Sequence, residues 1–357
     1  MRILALQLKR IGDLILTAPA IRTIREKWPS SHITLAASGP ATGLLGAIPE
    51  VDAAIAFGTD RRWTPWQQVL TGAFDQVLDF TGSDRSALAT ALSRAPSRVG
   101  FQSVKKAGLR RLAYTSFIDA AVREVHTADH YRHLVLGASA APTEDPAPAL
   151  KIPDSAARAA DALLRENQIA APFALIHPGT ARPEKNWVPE RWAEVIEHLR
   201  SVHCMDVLLT GGTALDERAH LDEILRPGGG VSTPAPASAV AHHSRGRLVS
   251  AAGAIDLCGL AALARSARLV ISCDTAMVHL AAAFKTPQIA LFGPTNPFHW
   301  RPRHARAMVL SAAQPEAPLL DFTSRMRGAP MADLSTQPVV RAIDALLAEP
   351  SSPPLPT

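Results

Sequence analysis

Cysteine is scarce in this chain: three in 357 residues (Cys204, Cys258, Cys273), widely spaced, two of them inside apolar runs. Such spacing offers no metal-ligand pattern and cannot build a disulfide framework, so a reducing cytosol is the expected compartment. No run of about eighteen apolar residues occurs, so no membrane span is expected. The apolar run in the opening MRILALQLKRIGD is too short and too soon interrupted for a signal peptide. The sequence also lacks G-x-G-x-x-G and G-x-x-x-x-G-K-[ST], which removes the dinucleotide fingerprint and the P-loop. Without H-E-x-x-H, C-x-x-C or G-x-S-x-G, zinc hydrolase, redox and serine hydrolase chemistry lose their usual signatures. No D-x-D pair is present to hold a divalent cation against a diphosphate. A nucleotide would have to be held by backbone donors and cationic side chains, with no metal and no cofactor.

What is present suits a two-domain soluble protein. The length exceeds one typical core, and 47% hydrophobic with 19% charged residues is an ordinary globular balance. The formal net charge of +5 favours an anionic partner.

Strand-like apolar runs alternate with helical periodicity throughout, which predicts parallel α/β sheets. In the first half, residues 2–8 read as a strand, 9–13 as a loop, 14–27 as a helix, and 33–37 and 76–80 as strands. Residues 142–153, PTEDPAPALKIP, read as a proline-rich linker. The second half reads as helix 155–168, strand 173–176, helix 189–201, strand 206–210 and strand 255–258. A strand–helix–strand unit follows, with strands at 269–272 and 288–292. Residues 227–254 read as a flexible insertion, 337–348 as a last helix and 349–357 as a disordered tail. Domains are therefore expected at 1–150 and 151–336. A cleft between two such lobes would hold ligand at the carboxyl ends of the strands.

Three segments carry chemistry. In LVISCDTAMVHLAAAFKTPQIALFGPTN (269–296), a strand ends at Asp274-Thr275 and a helix starts at once. Either residue can cap that helix, whose first-turn N–H groups and dipole suit a phosphate. His279 lies one turn on, on the face of Thr275 or Ala276. An ordinary cap over a buried core is the plainer alternative. In IHPGTARPEKNWVPERW (176–192), Gly179 permits close backbone approach, Thr180 offers a hydroxyl and Lys185 a mobile cation. In RIGDLILTAPAIRTIR (10–25), Gly12-Asp13 ends the strand-to-helix loop. Asp13 is either the N-cap or a carboxylate able to activate an acceptor hydroxyl.

These segments, with LLTGG…DE, R-V-G-F (98–101) and H-x-x-D-x-Y (126–131), resemble glycosyltransferase family 9, the ADP-heptose:lipopolysaccharide heptosyltransferases. The likeness runs in order from about residue 1 to 300. It implies a GT-B architecture of two Rossmann-like doubly wound lobes, the first binding acceptor and the second nucleotide sugar. It also implies metal-free inverting transfer of heptose from ADP-heptose to an inner-core sugar of lipopolysaccharide. By motif position, Asp13 would be the catalytic base, with Gly12 allowing close approach. Thr180 and Lys185, beside Gly179, would bind the donor diphosphate. Asp274, Thr275, Ala276 and His279 would form the rest of the donor site. Asp216 or Glu217 would meet donor hydroxyls. Two departures stand out: Ala276 replaces the usual glycine, and LAALARSARL follows Cys258-Gly259 where the family carries a longer loop.

For the acceptor, residues 85–111 hold seven basic residues (Arg85, Arg94, Arg98, Lys105, Lys106, Arg110, Arg111) and no acidic one. With Arg61-Arg62-Trp63, this stretch would face an anionic glycolipid, with Arg61, Arg98 and Lys105 as chief candidates. The same charge suits peripheral contact with the cytoplasmic leaflet of the inner membrane. Nucleic acid is not expected, since no aromatic platform accompanies the patch. A transferase using another nucleotide sugar and a silent nucleotide-sugar binder are the competing readings.

Overall fold

The computed structural model describes residues 1–58, 63–106, 108–120, 123–137, 148–226 and 245–348. The chain divides into two compact units, Met1–Pro153 and Asp154–Thr357. Among the described residues, no helix is long and apolar enough to cross a membrane.

The first unit is a six-stranded parallel sheet of β1 (Arg2–Gln7), β2 (His32–Ser38), β3 (Ala53–Phe57), β4 (Gln76–Asp79), β5 (Ser97–Phe101) and β6 (Ser116–Ile118). Helices α1 (Ile11–Lys27), α2 (Thr64–Thr71), α3 (Asp84–Leu92), α4 (Gln102–Lys105) and α5 (Thr127–Leu136) connect or flank the strands. The strand order is β3-β2-β1-β4-β5-β6. The central strand β1 is buried on both faces after its first residue, as an all-parallel interior strand must be.

The second unit repeats the plan with β7 (Phe173–His177), β8 (Asp206–Leu209), β9 (Leu248–Ser250), β10 (Leu269–Cys273), β11 (Gln288–Phe292) and β12 (Ala307–Ser311). Its helices are α6 (Asp154–Glu166), α7 (Pro189–Ser201), α8 (Leu215–Leu225), α9 (Leu257–Ser266), α10 (Ala276–Ala283), α11 (Pro297–Trp300) and α12 (Thr336–Ala348). The order β12-β11-β10-β7-β8-β9 is the first sheet's order read from the other edge. Both are the doubly wound Rossmann order. In such a sheet the connections reverse direction beside the first strand, and a crevice opens there at the carboxyl edge. The crevice falls between β1 and β4 in the first unit, and between β7 and β10 in the second.

Three expectations are corrected. The helix after β1 begins at Ile11 rather than at residue 14, because Leu14 N already donates to the Arg10 carbonyl. Gly12 and Asp13 thus belong to its first turn, and Asp13 is not its N-cap. Residues 255–258 are not a strand. The Asp256 carboxylate caps α9 by accepting from Gly259 N at 2.7 Å, so the short apolar run turns helical. The strand instead is β9, inside the stretch read as an insertion. Only three residues long and at the sheet's edge, it carries too little pattern to stand out from its Gly- and Ser-rich surroundings. Residues 227–244 of that insertion, 142–147 of the linker and the tail 349–357 lie outside the described residues.

Candidate active site

In the first unit the chemistry gathers around Asp13, which is 8% exposed. Leu4, Leu6, Leu14 and Ile15 are fully buried and fix the turn from β1 into α1. The helix dipole at this first turn favours a carboxylate. From α5, the Tyr131 hydroxyl donates to Asp13 Oδ1 at 2.6 Å. That bond orients the carboxylate and leaves its second oxygen to be used elsewhere. Burial, then the adjacent Asp13, raises the Tyr131 phenol well above its ordinary value, so Tyr131 remains a donor. Lys9 Nζ lies 5.7 Å from the centre of the Tyr131 ring.

Lys9 also lines a cavity of about 750 Å³, together with Lys106, Arg110, Arg123 and His130. His130 stacks on Phe101, ring centroids 3.9 Å apart. Burial, and then the charge of Lys9, lowers the His130 imidazole to about 4, so it is neutral at pH 7. The cavity thus presents four cationic residues against two acidic ones, Asp119 and Glu124. On β4, across the same crevice, Asp79 is fully buried and accepts from the Tyr114 hydroxyl at 2.5 Å. Thr81 N and Gly82 N also donate to it, as does the Ser86 side chain. Burial raises the Asp79 carboxyl, and these donors oppose the rise. The chain has two tyrosines, and each serves a carboxylate beside this crevice, one in the first turn of α1 and one at the end of β4.

The expected acceptor residues are redistributed. Arg61 and Arg62 lie outside the described residues. Trp63 is 75% exposed. Arg98 spends its guanidinium on backbone, donating to Ala113 O at 2.7 Å and Ala95 O at 2.5 Å, and does not line the cavity. Lys105 is exposed on α4 and is not a lining residue either, whereas its neighbour Lys106 is. A count of basic residues could not separate these, because which way each points depends on the turn after β5.

In the second unit Lys185 and Asp274 meet at the carboxyl edge of β7 and β10, and Glu217 comes beside Gly179. Trp187 and Trp192 are fully buried, packed edge to face at 5.1 Å, and Trp187 Nε1 donates to Leu334 O at 2.8 Å. They anchor the 3₁₀ turn Pro183–Lys185 at the end of β7. From that turn Lys185 Nζ meets Asp274 Oδ2 at 2.5 Å, with the two side chains 13% and 10% exposed. An ion pair this buried requires close mutual compensation, since neither charge has much water. Thr275, rather than Asp274, caps α10, its hydroxyl accepting from Met277 N at 3.2 Å. Ala276 is the first residue of that helix, and its helical backbone has no need of glycine. His279 is buried in α10.

Thr180 N donates to Asn186 Oδ1 at 3.1 Å, and its hydroxyl donates to Arg182 O at 2.6 Å. Asn186, which shapes this loop, was not foreseen. Glu217 Oε2 accepts from Gly212 N at 2.7 Å. A Cβ on Gly212 would lie 2.6 Å from that oxygen and would push the carboxylate aside, whereas one on Gly179, 3.3 Å from it, would only crowd it. Asp216 is exposed, so of the two acidic residues it is Glu217 that reaches the β7 loop. His177, at the end of β7, is lowered by burial to about 4, and its Nδ1 lies 3.1 Å from Thr210 Oγ1. The Cys273 thiol is pushed up by burial to about 12, which makes it inert beside Asp274.

The chain is similar to several known proteins. The lipopolysaccharide core heptosyltransferase OpsX of Haemophilus influenzae is 23% identical over 353 residues, covering 94% of each chain. Lipopolysaccharide heptosyltransferase 3 of Escherichia coli K12 is 26% identical over 305 residues, covering 82% of each. Among solved structures, a family 9 glycosyltransferase from Veillonella parvula superposes with a TM-score of 0.78 at 22% identity, covering 98% of this chain and 97% of that one. The E. coli heptosyltransferase WaaC, solved with ADP, superposes at 0.67 with 20% identity and 98% of each chain covered. These likenesses establish the fold, two Rossmann-like units of the GT-B class. The pattern of glycosyltransferase family 9 (heptosyltransferase) matches residues 62–329, three-quarters of the chain. The protein belongs to glycosyltransferase family 9 and is a glycosyltransferase.

Proposed function

We propose that this enzyme moves heptose from ADP-heptose to a sugar of the lipopolysaccharide core, inverting the anomeric carbon and using no metal. The single observation that carries the mechanism is Asp13, a buried carboxylate with one oxygen tied to Tyr131 at 2.6 Å. Such a group can take the proton of an acceptor hydroxyl as it attacks the anomeric carbon. The transition state develops oxocarbenium-like positive charge on the sugar and negative charge on the departing diphosphate. Lys185 and the first turn of α10, with Thr275 and Ala276, supply a cation and fixed donors for that diphosphate, and Thr180 would join them by turning its hydroxyl away from the Arg182 carbonyl. Asp274 and Glu217 would take donor hydroxyls, and Gly179 would keep the backbone low beneath them.

On the acceptor side, the cavity lined by Lys9, Lys106, Arg110 and Arg123 suits the anionic groups of a core oligosaccharide. A net charge of +5 also suits peripheral contact with an anionic cytoplasmic leaflet.

The test is Asp13→Asn, which keeps size and shape but removes the basic oxygen. Turnover is expected to fall by about a hundredfold or more while ADP affinity holds. Wild-type turnover in the folded variant refutes the catalytic assignment. ADP should also raise the melting temperature without magnesium, and strict dependence on a divalent cation would sink the metal-free mechanism. Selective stabilisation by UDP-, GDP- or CMP-sugars would move the donor class.

A further inference from the structure

We propose that His198, His203 and Asp344 form a binding site for a divalent transition-metal ion of the zinc class, one that staples the last helix to the second unit. Nε2 of His198 and Nε2 of His203 lie 2.7 Å and 2.8 Å from the same Asp344 oxygen. All three ligand atoms fall within 4.8 Å of one another.

The two imidazoles are brought together by the way α7 ends. Val202 N donates to His198 O, and Met205 N donates back to Leu199 O at 3.1 Å. Cys204 takes the left-handed conformation, φ 49°, that this tight return needs. The turn folds His203 beside His198, ring centroids 5.2 Å apart at 75°. Buried Met205 holds it in place. Asp344 arrives from α12, whose start is tied to the start of α7 by Trp187 and Arg191 donating to Leu334 O. The helices are thus joined at both ends, by side-chain donors to the Leu334 carbonyl at one and by this triad at the other.

Chemistry selects the ion. Two imidazole nitrogens and one carboxylate oxygen suit zinc, cobalt or nickel, whereas magnesium and calcium prefer all-oxygen shells. A tetrahedral zinc site with bonds of about 2.0–2.1 Å spaces its ligand atoms roughly 3.3 Å apart. The present distances would open by about half an ångström, easy for side chains 18%, 22% and 49% exposed. The open side leaves room for water as fourth ligand. The helix dipole at the carboxyl end of α7 also favours a cation.

The site is remote from the donor crevice in the fold. α7 leaves the β7 loop at Pro189, and a rise of 1.5 Å per residue places His198 roughly 13 Å further along the helix axis. Metal at this place should therefore act on stability and not on transfer.

The experiment titrates zinc chloride into the full-length, chelator-stripped protein by calorimetry, with magnesium chloride as control. One equivalent of zinc is expected to bind and to raise the melting temperature, with no effect of magnesium. His203→Gln and Asp344→Asn should each weaken zinc at least tenfold and abolish the thermal shift. Both variants sit at the surface, and their circular dichroism reports folding. Cys204→Ser should retain the ion. No zinc uptake up to about millimolar concentration, equal affinity in wild type and variants, or loss of binding in Cys204→Ser would each overturn the proposal. ADP binding unaltered by zinc is expected, and zinc-dependent ADP binding would contradict the assignment as a structural staple.

Discussion

The two units share one strand order yet equip their crevices with different partners. In the first, each carboxylate at the crevice is held by a phenol: Asp13 by Tyr131 and Asp79 by Tyr114. In the second, the carboxylate Asp274 is held by a cation, Lys185. A phenol stabilises a carboxylate through one directed bond and leaves its charge in place, so Asp13 keeps the capacity to take a proton. A lysine cancels the charge, so the Asp274 crevice is near neutral until a ligand redistributes the pair. Base chemistry suits the first arrangement, anion binding the second. The topology provides the crevice, and the residue opposite the acid decides its use.

The comparison can be broken at several points. The largest effect is expected from Lys185→Ala, which leaves Asp274 buried without its partner and removes the cation proposed to meet the diphosphate. Stability should drop by about 3 kcal/mol, measured by urea unfolding. The rate should fall on the order of a hundredfold, as for loss of one transition-state donor. An unchanged rate would show that the pair is purely structural.

Acidification should separate the units. His177 and His304 of the second unit are lowered by burial to about 4, and burial lowers His220 as well. In the first unit His130 is lowered to about 4. A histidine whose folded value is depressed binds fewer protons folded than unfolded between about pH 6.5 and 4. Stability therefore rises with pH across that window and is lost as pH falls through it, by roughly 1.4 kcal/mol per pH unit for each fully shifted group. Hydrogen exchange followed from pH 7 to 4.5 should show the second unit losing protection more steeply. Equal loss in both would mean that the histidines do not govern acid unfolding.

The two tyrosines form the next test. Tyr131→Phe should lower turnover about tenfold with ADP affinity unchanged, since a hydrogen bond to a charged group is worth about 1.5–3 kcal/mol. Tyr114→Phe should cost stability of similar size and spare turnover per folded molecule. If the two variants behave alike, the distinction between a catalytic and a buttressing carboxylate fails. Smallest is the acceptor side: Lys106→Glu should raise the acceptor KM several-fold, and Lys105→Glu should do little. KM carries interactions made equally in ground and transition states.

Much of this was legible from residues alone. Helix 189–201 and strand 288–292 have the boundaries read from the sequence, because apolar periodicity runs through both, Pro189 opens the helix, and Pro287 and Gly293 bracket the strand. Asp274-Thr275 and Lys185 stood out because strand ends followed by capped helices are local signals. What the sequence did not show depended on contacts that carry no local pattern. Tyr131 is 118 residues from Asp13, and Asn186 holds Thr180 inside a loop of no regular pattern. Arg98 looks like a binding residue until its carbonyl partners are known. β9 required a neighbouring strand to become a strand at all.

The scarcity of tyrosine has an optical consequence. Both phenols lie in the first unit, and both are raised above their ordinary range, Tyr131 and Tyr114 alike, by burial and by the carboxylates they serve. Phenolate absorbance should therefore be silent in the folded chain at pH 10 to 11 and emerge only when these bonds open. It reports on one unit alone, while the other contributes nothing to the band. An alkaline pH jump thus times the loosening of the Asp13 neighbourhood without a label, a mutation or a substrate.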